Sequence, residues 1–197
     1  MKLFIATKNL NKLAEFRRIL ETHSFEIVSL NEIKAPPCQE STLSFMDNAM
    51  SKAVFYCKFS ELLTVSDDSG LVIPALGGFP GVQSARFGSD TMTQAEKNKA
   101  VIDMMKEYKG NKRRAYFICA LAIAHNKKII FSTEERVQGL ISIEEKGNNG
   151  FGYDPIFYYL DAEKTFAELL PHEKDTYSHR GKSIRNLVDF LEHTKNF

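Results

Sequence analysis

This sequence is poor in cysteine, has no long hydrophobic run and shows no excess of charge of one sign. Its three cysteines, Cys38, Cys57 and Cys119, are odd in number, far apart and without metal-ligand spacing. That excludes a disulfide framework or a zinc knuckle and points to a reducing compartment. No apolar run approaches the roughly 20 residues a membrane-spanning helix needs. The opening MKLFIATKN is too short in apolar residues for a signal peptide, so a cytoplasmic location is expected. Charge of one sign is not in excess either. With 26 basic against 25 acidic residues, the net charge of +1 argues against duplex nucleic acid or a membrane surface as partner. A local basic pocket for a small anion is invisible in that sum and stays open. No repeat, low-complexity tract or Pro/Gly/Ser linker divides the 197 residues, and one domain over 1–197 is expected.

What is present is a succession of short apolar strands and amphipathic helices. Lys2 to Thr7 reads as a strand, followed by NLNKLAEFRRIL with Leu13, Phe16 and Leu20 at helical spacing. Glu26 to Leu30 reads as a second strand. From Leu43 to Phe59, the residues Phe45, Ala49, Ala53 and Tyr56 mark one helix face. Leu62 to Ser66 is an apolar strand that delivers Asp67 and Asp68 into a turn at Ser69-Gly70. GGFPG at 77–81 reads as a loop, and Thr93 with Glu96 forms a capping box for a helix to about Tyr108. The run from Arg113 to Ser142 reads as two long strands hinged near Asn126, an antiparallel hairpin. GNNGFGYDPIFYYL is loop then strand, and Ser178 is placed to cap a final helix through Leu191. Early βαβ-like units followed by a hairpin predict an α/β fold with a mixed sheet.

Five segments combine residues suited to chemistry. TKNLNK at 7–12 passes from strand to helix, where unpaired N–H groups and the positive dipole end attract phosphate. Glu40 precedes a helix on which Asn48 and Lys52, four apart, share a face. The third, VSDDSGL, sets two like charges side by side after an apolar run, which is costly unless the loop is solvated or a cation is near. Asp68-Ser69-Gly70 also matches the aspartic-protease signature. That chemistry needs two such aspartates sharing a proton, and a second copy is missing. The Asp-x-Asp phosphatase pattern is missing too, because position 69 is serine. A divalent cation suits the aspartates better, since magnesium takes one or two carboxylates plus substrate phosphates.

In GNNGFGYDPIF, glycines flank Phe151, and the exposed ring beside Asp154 suits a planar heterocycle through stacking and a hydrogen-bond acceptor. In SHRGKSIRNL, Gly181-Lys182-Ser183 looks like the end of a phosphate-binding loop, but Thr176 stands where that motif requires glycine. His179 and Arg180 remain as donors for an oxygen-rich ligand.

Together and in this order, TKNLNK, the glutamate ahead of NAMSKA, DDSGL, GGFPGVQSARF, GFGYDPIF and SHRGK resemble the inosine triphosphate pyrophosphatase family, the dITP/XTP pyrophosphatases. The resemblance covers nearly the whole chain. It implies an elongated, two-lobed α/β fold around a central mixed β-sheet with flanking helices, a homodimer, and Mg2+-dependent cleavage of a nucleoside triphosphate to monophosphate and pyrophosphate. It maps Thr7, Lys8, Asn9, Leu10, Asn11 and Lys12 onto the family's triphosphate-binding segment. Asp68 matches the catalytic acid and metal position, Glu40 the second metal carboxylate, and Ser69 a substrate contact. Phe151, Gly152, Tyr153, Asp154, Lys174, His179 and Arg180 match the nucleotide-base pocket. Lys12 and Lys52 are expected to clamp phosphates, and Asp67 to help as a neighbouring carboxylate. Lys8 departs from the glycine or asparagine common at its position. A nucleotide sensor without turnover, a pyrophosphatase for modified pyrimidines and a general nucleic-acid binder are the rival readings.

Overall fold

The computed structural model describes residues 1–39, 44–89 and 91–194. Seven strands form one mixed sheet in the order β2-β1-β3-β4-β5-β6-β7. Along the chain these are β1 (Lys2–Ile5), β2 (Glu26–Ser29), β3 (Leu63–Val72), β4 (Arg114–His125), β5 (Lys128–Ile141), β6 (Phe157–Tyr159) and β7 (Lys164–Thr165). Among the described residues five α-helices accompany them: α1 (Leu10–Leu20), α2 (Phe45–Ser60), α3 (Gln94–Met104), α4 (Pro171–Tyr177) and α5 (His179–His193). The expected α/β class and mixed sheet are what the chain adopts. β1 pairs in parallel with β2 and β3, whereas β5, β6 and β7 pair antiparallel.

The chain divides into two compact units: Met1–Ser69 with Cys119–Glu135 and His179–Phe197, and Gly70–Ile118 with Arg136–Ser178. In the first, the register Leu3↔Leu63, Phe4↔Thr64, Ile5↔Val65 aligns like faces of β1 and β3. Side chains alternate along a strand, so Leu3, Ile5, Leu63 and Val65 face one way. There they pack with Leu13, Phe16 and Leu20 of α1 and Ile184 and Leu187 of α5. Phe4 and Ala6 point to the opposite face and meet Tyr56 of α2. Each fully buried large side chain contributes about 1.5–3 kcal/mol. The helix faces read from periodicity are the buried ones: Leu13, Phe16 and Leu20 on α1, and Phe45, Ala49, Ala53 and Tyr56 on α2.

The second unit centres on Leu71, Ile73, Val101, Phe117, Phe157 and Phe166. Thr93 caps α3 in the expected box, its hydroxyl accepting from Glu96 N–H while the Glu96 carboxylate accepts from Thr93 N–H. The helix ends at Met104 rather than near Tyr108, and Arg113 takes carbonyls that follow its end. Arg113 donates from Nη1 to the Met105 and Tyr108 oxygens, and Nε donates to Ile141. Such a guanidinium satisfies orphan carbonyls that further helical turns would otherwise cover. Asn126 and Lys127, both at positive φ (50° and 64°), form the two-residue turn that joins β4 to β5.

One strand differs from its sequence reading. β3 does not stop at Ser66 and turn at Ser69-Gly70; it runs unbroken from Leu63 to Val72. Extended backbone satisfies its amides through the ladder, so the aspartates need no turn to be accommodated.

Candidate active site

The consequence of the longer strand is that Asp67 and Asp68, though adjacent in sequence, point to opposite faces of β3. Asp67 continues the series of Leu63 and Val65 toward α1 and α5. Asp68 continues the series of Thr64 and Ser66 toward α2. Alternation keeps the two negative charges from crowding one another, and each face answers its own carboxylate with donors.

On the α2 face, Asn48 donates from Nδ2 to Asp68 Oδ2 at 2.9 Å. Lys52 places its ammonium 3.4 Å from Asp68 Oδ1 and donates to the Asp67 carbonyl at 2.9 Å. The i, i+4 spacing of Asn48 and Lys52 brings both to β3. Ser44 caps α2 upstream, its hydroxyl accepting from the Asp47 N–H at 3.0 Å. Asp68 keeps 13% of its side chain exposed. A carboxylate offers about four lone-pair sites in all.

On the other face Asp67 is wholly buried, with Lys12 Nζ at 2.9 Å and Arg180 Nε at 3.1 Å from Oδ2. Burial pushes its pKa up, but Lys12, Arg180 and Lys52 outweigh it and hold the carboxyl far below the usual range. Arg180 is itself buried, and its Nη1 is ion-paired with buried Glu15. Its Nη2 donates to Ser69 Oγ at 2.6 Å. Burial lowers the Arg180 pKa, yet Asp67 and Glu15 raise it further, so the guanidinium stays charged.

Lys12 reaches Asp67 because α1 starts where it does. Asn9 is extended, and its Oδ1 accepts from the N–H groups of Asn11 (2.9 Å) and Lys12 (3.1 Å). Thr7 Oγ1 accepts from the Asn9 N–H at 3.2 Å. These caps already engage two of the helix's terminal N–H groups. The segment therefore presents an anion with its lysines more than with bare amides. Lys8, Leu10 and Asn11 are exposed at this edge.

The same cluster silences a thiol. Burial, then the Asp67 charge 4.0 Å away, push Cys119 up to about 12. The thiolate is the reactive form. At pH 8 in the folded protein, iodoacetamide is expected to leave Cys119 unmodified while half-buried Cys38 reacts; denaturant should expose Cys119. Peptide mapping by mass spectrometry reads the order of labelling, and early modification of Cys119 contradicts this picture.

The second unit holds its own constellation. Phe151 sits on a loop bent at Gly150 (φ +70°) and Gly152 (φ +63°). A Cβ on Gly150 would lie 2.2 Å from Asp154 Oδ2, so the loop closes only around glycine there. Asp154 is buried, accepts from the Phe151 N–H at 2.8 Å and pairs with buried Lys174 of α4. The Lys174 ammonium also lies 4.6 Å from the Phe151 ring centroid, a cation–π contact. Tyr153 is a core residue: it is 5% exposed and its hydroxyl donates to the Ser84 carbonyl at 3.0 Å. Burial pushes the Tyr153 phenol up to about 12.

Of the residues expected from sequence, Lys12, Lys52, Asp68, Ser69 and Arg180 belong to one connected cluster in the first unit, with Thr7 and Asn9 shaping its edge. His179 opens α5 beside Arg180 and is buried. Phe151, Gly152, Asp154 and Lys174 gather in the second unit. Glu40 lies outside the described residues. Among the described residues no three His, Cys, Asp or Glu side chains gather as a metal site. Glu15 and Asn98 escaped the sequence reading. The only signal for either is a polar residue on a helix face otherwise apolar, three positions from Lys12 in one case and three from Val101 in the other.

Comparison with known proteins bears on this geometry. The model of the Ham1 family matches residues 3–190. A dITP/XTP pyrophosphatase of Thermus thermophilus is 39% identical over 189 residues, covering 96% of this chain and 91% of that one. A dITP/XTP pyrophosphatase of Bacillus subtilis is 39% identical, covering 95% of this chain and 96% of its own. Among solved structures, a HAM1 protein from Coxiella burnetii superimposes with a TM-score of 0.89 at 34% identity, covering 98% of this chain and 100% of that one. The Staphylococcus aureus Ham1 protein gives 0.87 at 30% identity, covering 99% of this chain and all of its own.

Proposed function

The chain belongs to the Ham1 family, and from that premise we propose that it hydrolyses 6-keto purine nucleoside triphosphates, ITP, dITP and XTP, to the monophosphate and pyrophosphate. The observation that carries this is the paired set of charges on β3: a partly exposed acid, Asp68, beside Lys52, with Lys12 and Arg180 organised on the opposite strand face by Asp67.

Pyrophosphate release requires water to attack the α-phosphorus, forming a new P–O bond while the α–β bridge breaks. The choice of that bond is a matter of positioning. Asp68 orients the water and takes its proton. Lys12 and Lys52, whose ammonium groups each carry three donors, are the cations we assign to the phosphate oxygens. The donor set fits magnesium, a hard cation that takes one or two carboxylates and completes its shell with phosphate and water. Glu40 and Asp68 would hold it. When bound, the ion supplies charge neutralisation on the leaving pyrophosphate.

Base choice follows from donors. Hypoxanthine and xanthine carry a 6-keto oxygen, and adenine a 6-amino group. His179, at the start of α5, is the donor we assign to that oxygen and would meet an amino group donor-to-donor; Arg180, held by Asp67, Glu15 and Ser69, fixes the helix start that carries it. Sites built on such hydrogen bonds discriminate by about 10⁴–10⁵. The half-buried Phe151 ring, with its Lys174 and Asp154 supports, suits a planar heterocycle. The wider reading adds clearance of these nucleotides from the precursor pool, a cytoplasmic homodimer and no stable nucleic-acid binding. Among the described residues no helix is long and apolar enough to cross a membrane.

A magnesium-dependent assay across ITP, dITP, XTP, ATP and GTP, resolving pyrophosphate from orthophosphate, tests this. Pyrophosphate from the first three is expected, with kcat/KM for ATP lower by about 10³ or more. Comparable rates on all five refute the substrate class. Orthophosphate as first product refutes the bond cleaved.

A further inference from the structure

A buried amide on α3 takes no part in the proposed chemistry, yet it is tied to the loop that carries Phe151. Asn98 is 2% exposed. Its Nδ2 donates to the Gly152 carbonyl at 3.2 Å, and its Oδ1 accepts from Gln94 Nε2 at 3.0 Å. Burying an amide is unfavourable unless both ends are bonded, and here both are. Leucine at this position would have served packing alone. The Gln94 contact also fixes which way the amide points, with its NH2 group toward the loop.

The loop needs such a hold. Its backbone passes through positive φ at Gly147, Gly150 and Gly152, so no strand ladder or helix orders it. Its restraints are single bonds. The Asn149 N–H donates to the Ala167 carbonyl, Asn149 Nδ2 to the Leu169 carbonyl, and the Phe151 N–H to Asp154. The Asp154 N–H returns to the Phe151 carbonyl at 3.2 Å. Asn98 holds the next carbonyl, that of Gly152, and so sets the tilt of the peptide beyond the ring.

We propose that Asn98 is a positioning residue for substrate specificity, holding the Phe151 ring in the orientation that receives the purine base. This rests on the reading of Phe151 as the base platform. It separates base affinity from chemistry: Asn98 touches no reacting group, and Asp68 lies in the other unit. Loss of the Asn98 donor should therefore raise KM and spare kcat.

The chain contains no tryptophan, so Phe151→Trp installs a single indole at the platform. Fluorescence quenching by ITP in EDTA then reads base stacking without turnover. In that background Asn98→Leu is expected to weaken the ITP Kd about 10-fold, with Gln94→Ala weakening it about 2–3-fold in the same direction. Asn98→Gln, which keeps a donor, should recover part of the loss. In the protein with Phe151 intact, Asn98→Leu should raise KM for ITP by a similar factor with kcat within about 2-fold. Gln94 is exposed, so its variant serves if Asn98→Leu fails to fold, and a wild-type Kd for it then overturns the proposal. Equal ITP Kd with and without the Asn98 donor also overturns it, as does a kcat loss with KM unchanged. No quenching by ITP with Asn98 intact instead overturns the platform reading itself.

Discussion

Asp68→Asn is expected to reduce kcat by about 10³-fold while the protein stays folded. The carboxylate has two services that an amide cannot supply: it takes a proton from water, and it offers a charged oxygen to a divalent cation. The structural cost is small by contrast. The Asp68 side chain is 13% exposed, Asn48 can still donate to the amide oxygen, and Lys52 keeps its bond to the Asp67 carbonyl. The thermal midpoint should therefore move by only a few degrees, and KM by no more than a few-fold. Single-turnover kinetics beside a melting curve separates the two effects. Wild-type turnover by folded Asp68→Asn protein would remove Asp68 from the chemistry.

Arg180→Ala should show the opposite balance, a large loss of stability. Removing the guanidinium takes a shared cation from two buried carboxylates, Glu15 and Asp67, of which Asp67 keeps Lys12. Breaking a buried pair from one side costs about 3–5 kcal/mol, which for a chain of this length lowers the melting midpoint by roughly 6–20 °C. Lysine at 180 should recover only part of this, because one ammonium cannot reproduce the planar fork that spans Asp67, Glu15 and Ser69. The double change Glu15→Gln with Arg180→Met should cost less than the sum of the single changes, as neither charge is then left alone.

The pH dependence of the same network has a definite sign. The Asp67 pKa is held below its unfolded value of about 4. Its stabilisation is therefore fully present above pH ~4 and is lost as pH falls toward the folded pKa. In the Arg180→Ala protein that acid-side slope should flatten. A slope unchanged between the two proteins contradicts the assigned network.

Much of this was legible in the residues. The helix faces of α1 and α2, the Thr93–Glu96 cap and the hinge at Asn126 follow from local periodicity and turn chemistry, which act within a few residues. The segments that mark the family are likewise short and contiguous. Asn48 and Lys52 were visible as one helix face, although not what that face meets.

What the chain alone could not decide is which side of the sheet each aspartate serves. Read locally, Asp67 and Asp68 end a strand and crowd a turn. Only the pairing of β3 within the sheet shows the strand continuing to Val72, and only that continuation sends the two carboxylates to different helices. Arg180 lies 113 residues from Asp67 and 165 from Glu15, so no local pattern could reveal a network in which each charge is tolerable only because the others are there. Periodicity fixes which residues turn inward; the tertiary fold decides which inward charges meet, because ion pairing in a buried site depends on distance in space and not on distance along the chain.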